Sequence, residues 1–257
     1  MSNQKWLFIG TDERLNVCKN LMSGDGYDCR IVQTDHYSEE LSNEIIHFQP
    51  NHIVFPILQM TGTIPVELLK NKPTLYTGVT STEWLKSFQE AGLSIHSYLK
   101  EELYIWENAH ITAEAFLKEF YMETDRTIRD SLFLIAGFGR VGKMVAEMLR
   151  GVGGRVMVVA RAEAQLAEAK MLGYQIASIA EDLPLEGAYL VNTIPAKWLK
   201  IGNQQPRFIF DLASAPGCLA ETENVEYYTL LPGLPGKHFP FDAANALRDA
   251  LKRINRR

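Results

Sequence analysis

Hydrophobic and polar residues follow two alternating periods along the chain. Short apolar runs such as WLFIG (6–10) are followed by segments such as DERLNVCKNLMSG (12–24), in which apolar residues recur every three or four positions. The first kind of run predicts a buried strand and the second an amphipathic helix. Strands that alternate with helices indicate parallel sheets covered by helices. The pattern therefore predicts an α/β protein with Rossmann-like, doubly wound domains.

The alternating series runs twice, which predicts two domains. The second series opens at Leu132 with the apolar run LFLIAG, after a long helical pattern. The last segment is helical and ends in basic residues, which suits the dipole of a helix C-terminus. The predicted divisions are an N-terminal domain (1–110), a linker helix (111–126), a nucleotide-binding domain (127–238) and a C-terminal helix that packs back on the N-terminal domain (239–257).

Composition narrows the classes of partner. The chain has 257 residues, of which 22% are charged, and a net charge of -5, so it has no general attraction for nucleic acid or anionic membranes. No apolar run approaches the roughly 18 residues of a membrane span. The three cysteines show no metal-ligand spacing, and the N-terminal MSNQKWLFIG lacks the features of a signal peptide. We expect a cytoplasmic protein without a bound metal.

The segment LFLIAGFGRVGKMVAEML (132–149) carries the strongest chemical signal. A G-x-G-x-x-G motif directly follows an apolar strand and opens an amphipathic helix, which is the context of a dinucleotide site. Gly137 permits the tight turn, Gly139 lets a pyrophosphate approach the backbone, and Gly142 lets the helix pack closely. A glycine-rich turn without a ligand is the alternative. The residues assigned to the cofactor are Gly137, Phe138, Gly139, Arg140, Val141 and Gly142.

The end of the next strand indicates which dinucleotide binds. An NAD site places Asp or Glu about 20 residues after the motif, to hold the ribose 2′-hydroxyl. Here the strand RVMVVA ends at Ala160 and Arg161 follows. Arg161 can pair with a 2′-phosphate, and Arg140 can assist. The sequence therefore favours NADP over NAD, the alternative being that Arg161 is a solvated loop residue.

Three later strand ends are rich in Pro, Gly, Ser and Thr: NTIPA (192–196), DLASAPG (211–217) and LLPGLPGKH (230–238). Ligands of open α/β sheets bind outside the carboxyl ends of the strands. We expect a nicotinamide ring to lie across these segments, although Pro and Gly also simply punctuate turns. The residues assigned to the cofactor here are Asn192, Thr193, Asp211, Ser214 and Gly233.

The chain resembles the A subunit of dipicolinate synthase in five motifs. They are GTDERL (10–15), AGFGRVG (136–142), NTIPA (192–196), DLASAPG (211–217) and PGLPG (232–236), in this order. The resemblance implies two Rossmann-like domains, NADP in the second, and oxidation of a dihydrodipicolinate-type compound to dipicolinate, with a B subunit, in sporulating bacteria. The chain departs from the family pattern at Ala215, where the family has arginine, and at Cys218, where it has glycine. Phe241 and Asp242 replace a cation and a hydroxyl, so the substrate stays open.

The resemblance also directs attention to residues for a small dicarboxylate substrate. Arg14 can pair with a carboxylate, or alternatively with Asp12. Glu114 can act as a proton acceptor or orient the substrate, or alternatively complement a helix dipole. Asn108 lies at the family's spacing in the same ENAHITAEA segment. The assigned catalytic residues are Glu114, Arg14 and Asn108, whereas Lys237 and His238 are weaker candidates.

Three other functions remain open. The same cofactor site would serve an NADP-dependent reductase of an imine or keto acid, or a catalytically silent NADP-binding homologue. Residues 132–149 also resemble the ligand-binding domain of potassium-channel regulators, but those domains typically end the second strand with Asp, which is missing here. The oligomeric state is open, and a homo-oligomer is compatible with the sequence.

Overall fold

A computed structural model describes residues 4–180, 182–202, 204–220 and 225–256. The chain divides into two compact units, Met1–Asn108 with Phe239–Arg257, and Ala109–His238. Each unit is built on one parallel sheet, so the predicted α/β class with two Rossmann-like domains is confirmed. Within the described ranges, no helix combines the length and the apolar character needed to cross a membrane.

The first unit has a five-stranded sheet in the order β2-β1-β3-β4-β5, with every neighbouring pair parallel. Its strands are β1 (Lys5–Ile9), β2 (Asp28–Val32), β3 (His52–Val54), β4 (Thr74–Thr77) and β5 (Ile95–Ser97). Its first three helices are α1 (Glu13–Gly24), α2 (Glu39–Phe48) and α3 (Thr82–Glu90), and 3₁₀ turns lie at Val66–Leu68 and Tyr98–Lys100. Asp12, Ser38 and Ser81 cap the three helices by accepting hydrogen bonds from backbone amides.

The C-terminal helix α8 (Pro240–Asn255) belongs to the first unit and packs against α1. Its buried face is lined by small and aliphatic residues, including Ala243, Ala250 and Leu251. Lys252 also forms an ion pair with Asp25 at the end of α1, with a distance of 2.6 Å between Nζ and Oδ2. The helix is thus held by an apolar face and by a charge pair on its edge.

Helix α4 (Glu102–Glu123) is longer than the predicted linker helix. The prediction of 111–126 is wrong at both ends, because the helix already begins at Glu102 and ends at Glu123. The buried Glu101 accepts a hydrogen bond from the Tyr104 amide (2.8 Å) and so acts as the cap. Glutamate is not among the preferred capping residues, and this start therefore lacked the usual signal.

The second unit has a six-stranded sheet in the order β11-β10-β9-β6-β7-β8. Its chain order shows the crossover on both sides of the first strand that characterises dinucleotide-binding domains. The strands are β6 (Leu132–Ala136), β7 (Arg155–Ala160), β8 (Gln175–Ser178), β9 (Tyr189–Asn192), β10 (Phe208–Asp211) and β11 (Tyr228–Leu230). The remaining helices are α5 (Arg140–Gly151), α6 (Glu163–Met171) and α7 (Leu234–His238).

Candidate nucleotide-binding site

The glycine turn lies at the carboxyl end of β6 and is anchored to both neighbouring strands. The Gly137 amide donates to the Val159 carbonyl of β7 (2.8 Å), and the Thr193 amide after β9 donates to the Ala136 carbonyl (2.8 Å). Gly137 has a φ of 89°, and a Cβ there would lie 2.6 Å from Thr193 Oγ1. Only glycine fits this position without a shift in the turn.

The other two glycines of the motif have different surroundings. A Cβ on Gly142 would lie 2.1 Å from the Gly137 carbonyl oxygen, so this glycine allows α5 to pack against the turn. A Cβ on Gly139 would meet no described atom within 4 Å. Gly139 is also the N-cap of α5 and has no side chain to accept hydrogen bonds from the first-turn amides. Open space beside a helix N-terminus suits a pyrophosphate, so these residues fit a dinucleotide.

The side chain of Phe138 faces the protein core. It is 2% exposed and packs edge-on against Tyr174, with ring centroids 5.8 Å apart. The predicted contact of Phe138 with the cofactor is therefore limited to its backbone. Val141 is half-buried in the first turn of α5, and Arg140 is exposed beside it.

Arg161 lies at the neighbouring strand end, as predicted. It is exposed and directly follows Ala160, the last residue of β7, which pairs in parallel with β6. The Gly137 amide donates a hydrogen bond to the carbonyl of Val159, which lies two residues before Arg161. The chain at Arg161 is therefore next to the glycine turn. The nearest carboxylate along the chain on this side is Glu163, in the first turn of α6. Arg161 is thus a cation at the sheet edge where an NAD site has an acidic residue.

Asn192 and Asp211 are fully buried beneath the rim rather than exposed on it. Asn192 Nδ2 donates to Asp211 Oδ1 (2.7 Å) and to the Ile194 carbonyl (3.0 Å). Its Oδ1 accepts from the Ile194 amide and from the indole of Trp198. Both polar atoms of Asn192 are therefore used within the protein, so its assignment to the cofactor stays a prediction that would have to involve its backbone.

Asp211 organises the loop after β10 in the same way. Its carboxylate accepts hydrogen bonds from the amides of Ala213 (3.1 Å) and Cys218 (2.6 Å) and from the Tyr228 hydroxyl (2.9 Å). Asp211 is 0% exposed, and its assignment to the cofactor stays a prediction. Burial and the nearby Asp211 carboxylate raise the pKa of the Cys218 thiol, so that the thiol stays protonated.

The remaining predicted residues of the rim lie at or near its surface. Ser214 and Gly233 are exposed, and Gly233 adopts a φ of 66° directly after the loop that follows β11. Thr193 is half-buried, and its hydroxyl donates to the Ala136 carbonyl (2.8 Å), so its first role is to hold the glycine turn. Ser214 and Gly233 are thus the members of this group that a ligand can reach.

The predicted substrate residue Arg14 forms an ion pair within the protein. In the first unit Arg14 is buried, and its Nε donates to Asp12 Oδ1 (2.9 Å). Burial alone would raise the pKa of Asp12, but the hydrogen bonds and charge of Arg14 lower it, so both groups are ionised at neutral pH. The alternative interpretation of Arg14, an ion pair with Asp12, is the arrangement that the structure contains.

The two predicted residues of α4 lie on opposite sides of the boundary between the units. Asn108 is half-buried and is the last residue of the first unit before this boundary. Glu114 belongs to the second unit, is exposed, and lies 3.4 Å from His110 Nε2, one helical turn away. The structure thus assigns these residues to different units.

A charged cluster joins α4 to α7 within the second unit. Glu119 of α4 is 2% exposed, and its Oε1 contacts both Lys237 Nζ and His238 Nε2 of α7. Lys237 and His238 are the weaker candidates predicted from the sequence, whereas Glu119 is not among the predicted residues. Its position on the apolar face of α4, between Phe116 and Phe120, was the available signal, because a carboxylate there requires a partner.

Known proteins resemble this chain in sequence, and one family match covers the region of the glycine turn. The family described as the TrkA-N domain matches residues 133–183, which include the glycine turn and Arg161. The chain is 30% identical over 161 residues to the A subunit of dipicolinate synthase from Bacillus subtilis, which is 57% of this chain and 52% of the relative. An adenosylhomocysteinase from Saccharolobus solfataricus is 26% identical over 180 residues, or 66% of this chain and 42% of the relative. The alignments thus span about half the length of these curated relatives.

Solved structures extend the likeness in fold to nearly the whole chain. The dipicolinate synthase structure from Bacillus subtilis superimposes with a TM-score of 0.79 at 22% identity, over 99% of this chain and 96% of the other. D-lactate dehydrogenase from Escherichia coli gives 0.58 at 13% identity, over 97% and 96%. The predicted resemblance is confirmed, and the fold is the Rossmann type found in dehydrogenases.

Proposed function

We propose that this protein is an NADP-dependent oxidoreductase. The observation that carries the proposal is the exposed Arg161 at the end of β7, beside the open glycine turn. The first-turn amides of α5 would hold the pyrophosphate, and the guanidinium of Arg161 would pair with the 2′-phosphate. A charged pair of this kind discriminates NADP from NAD because NAD has no 2′-phosphate.

The rim after β9, β10 and β11 would take the nicotinamide half. Bound NADP⁺ supplies a hydride acceptor, and the protein supplies position and charge complementarity. Ser214 and Gly233 are exposed along this rim, whereas Asn192 and Asp211 fix its loops from below. The residues of the second unit thus orient the ligand more than they react with it.

For the substrate we propose a dihydrodipicolinate-type dicarboxylate that is oxidised to dipicolinate, in company with a B subunit. The support is the 30% identity to the A subunit of dipicolinate synthase. The structure itself does not indicate how a substrate carboxylate would bind, because Arg14 is already paired with Asp12. Oxidation removes a hydride and a proton from the ring, and aromatisation favours this direction. A reductase acting on an imine or keto acid, and a silent NADP-binding homologue, are the alternatives.

The cofactor proposal is tested by fluorescence titration with NADPH and NADH. Arg161→Ala should weaken NADPH by about 1.5–3 kcal/mol, or roughly 10- to 150-fold, and leave NADH nearly unchanged, because only NADPH loses a charge-assisted contact. Arg129→Ala, which removes an exposed arginine before β6, is the matched control and should change neither affinity. Equal wild-type affinities for NADPH and NADH would refute the NADP assignment. If the wild-type protein prefers NADH and Glu163→Gln abolishes that preference, the cofactor assignment would change from NADP to NAD.

Turnover separates the reaction from its alternatives. Freshly generated dihydrodipicolinate precursor, NADP⁺ and the chain are combined with and without a B subunit, and dipicolinate is followed by its absorbance. Product formation supports the oxidation. NADPH binding without product under either condition would leave the reductase and the silent homologue, which a panel of imines and keto acids with NADPH distinguishes.

A further inference from the structure

The buried carboxylate of Glu119 links helix α4 to the short helix α7 within the second unit. Lys237 Nζ and His238 Nε2 both contact the same oxygen, Oε1. Burial alone would raise the pKa of Glu119, but these two hydrogen bonds outweigh it and hold the pKa below its ordinary value. The carboxylate is therefore ionised at neutral pH, and its two donors compensate the cost of burying the charge.

One end of this link is fixed to the sheet. Phe116 and Phe120 flank Glu119 on α4 and are fully buried. The Phe116 ring packs edge-on against Phe210 of β10, with centroids 5.4 Å apart, and the Phe120 ring packs edge-on against Tyr189 of β9 at 5.1 Å. Such aromatic pairs hold α4 rigidly on the sheet, so Glu119 has a fixed position.

The other end of the link is the rim segment 232–236. The Lys237 amide donates to the Gly233 carbonyl (3.1 Å), so the residue that contacts Glu119 also holds the exposed Gly233. The segment starts directly after Leu231, whose amide donates to the Asp211 carbonyl (2.8 Å). In this strand order the adenine half of a dinucleotide lies over β7 and β8, and the nicotinamide half over β9 to β11. The segment therefore belongs to the nicotinamide side.

We propose that Glu119 is a positioning residue that, through Lys237 and His238, holds the 232–236 segment in place for the nicotinamide half of the dinucleotide. The inference rests on the proposed function. Glu119 acts through the segment and does not itself contact the ligand, because its side chain is buried. The adenine half, which lies over other strands, should not depend on it.

The test compares two ligands that share the adenine half. NADPH and adenosine 2′,5′-bisphosphate both carry the 2′-phosphate, but only NADPH has the nicotinamide. Glu119→Gln should raise the dissociation constant of NADPH about tenfold and that of the bisphosphate less than about twofold. Glu119→Asp, which keeps the charge, should recover part of the NADPH affinity. Glu123→Gln, an exposed change one turn later on α4, should alter neither ligand.

A second variant keeps the test informative if Glu119→Gln does not fold. Lys237→Met changes a residue whose side chain is 54% exposed, and it should also weaken NADPH selectively. The double variant should be no weaker than Glu119→Gln alone, because both changes break one link. Equal losses for the two ligands, or unchanged NADPH affinity, overturn the role of Glu119 while the proposed function stands. Wild-type protein that binds neither ligand overturns the proposed function and, with it, this inference.

Discussion

The carboxyl edges of the two sheets share a parallel topology but differ in their surfaces. In the first unit, polar groups at this edge are paired with each other: Arg14 with Asp12, and the Thr11 amide with Asp35 (3.2 Å). A Cβ on Gly78 would lie 2.2 Å from the Ile57 carbonyl oxygen, so this loop is packed against its neighbour. In the second unit Gly139 faces open space and Arg161 is exposed. Glycine therefore serves close packing at Gly78 in the first unit and at Gly137 and Gly142 in the second, whereas Gly139 leaves open space beside a helix N-terminus.

The largest effect that this comparison predicts is on stability. Gly142→Ala places a Cβ 2.1 Å from the Gly137 carbonyl oxygen, so α5 must move away from the turn. We expect a loss of about 3 kcal/mol in the free energy of unfolding, at the upper end for overpacked sites, measured by chemical denaturation. Gly151→Ala, on the same helix with no described atom within 4 Å of the added Cβ, is the control. A Gly142→Ala protein as stable as this control would show that the turn is not tightly packed.

The next effect concerns acid stability and belongs to the first unit. His52 is 6% exposed and stacks on Trp6, with ring centroids 4.0 Å apart. Burial lowers the pKa of His52 from 6.5 to about 4. Between these values the unfolded chain binds the proton and the folded chain does not, so stability rises with pH through this window and is lost as the pH falls. The contribution is at most about 3 kcal/mol.

Chemical denaturation at about pH 7.5, 6 and 5 measures this contribution across the window in which the two states differ in bound protons. The wild-type protein should lose stability as the pH falls, and His52→Gln should lose less, because the titrating group is gone. His47→Gln, which removes an exposed histidine of α2, is the control for the loss of a histidine as such. If His52→Gln and the wild type have the same slope, other groups cause the acid sensitivity.

The difference between the two edges explains which features the sequence could predict. The glycine turn, the strand series and Arg161 are local patterns, and periodicity and spacing are enough to place them. Residue type and spacing do not show whether a side chain at a strand end faces the rim or the interior, so the burial of Asn192 and Asp211 could not be predicted from them. The pairing of Glu119 with Lys237 and His238 joins residues 118 and 119 positions apart. Only the packing of α7 on α4 brings them together.

A substitution at Gly139 should change the free energy of unfolding least and should mainly weaken NADPH binding. Gly139→Ala adds a Cβ that meets no described atom within 4 Å, at a φ of -80° that alanine readily adopts. The free energy of unfolding should therefore change by no more than about 1 kcal/mol, because the reduced freedom of the unfolded chain is offset by the poor preference of alanine for a helix N-cap. The same methyl group occupies the space through which a pyrophosphate would approach the α5 amides, and we expect the NADPH dissociation constant to rise about tenfold or more.

Parallel denaturation and NADPH titration measure the two quantities. A variant that keeps full NADPH affinity would show that the open space at Gly139 is not where the dinucleotide binds, because a ligand held by these amides cannot tolerate a side chain between itself and them.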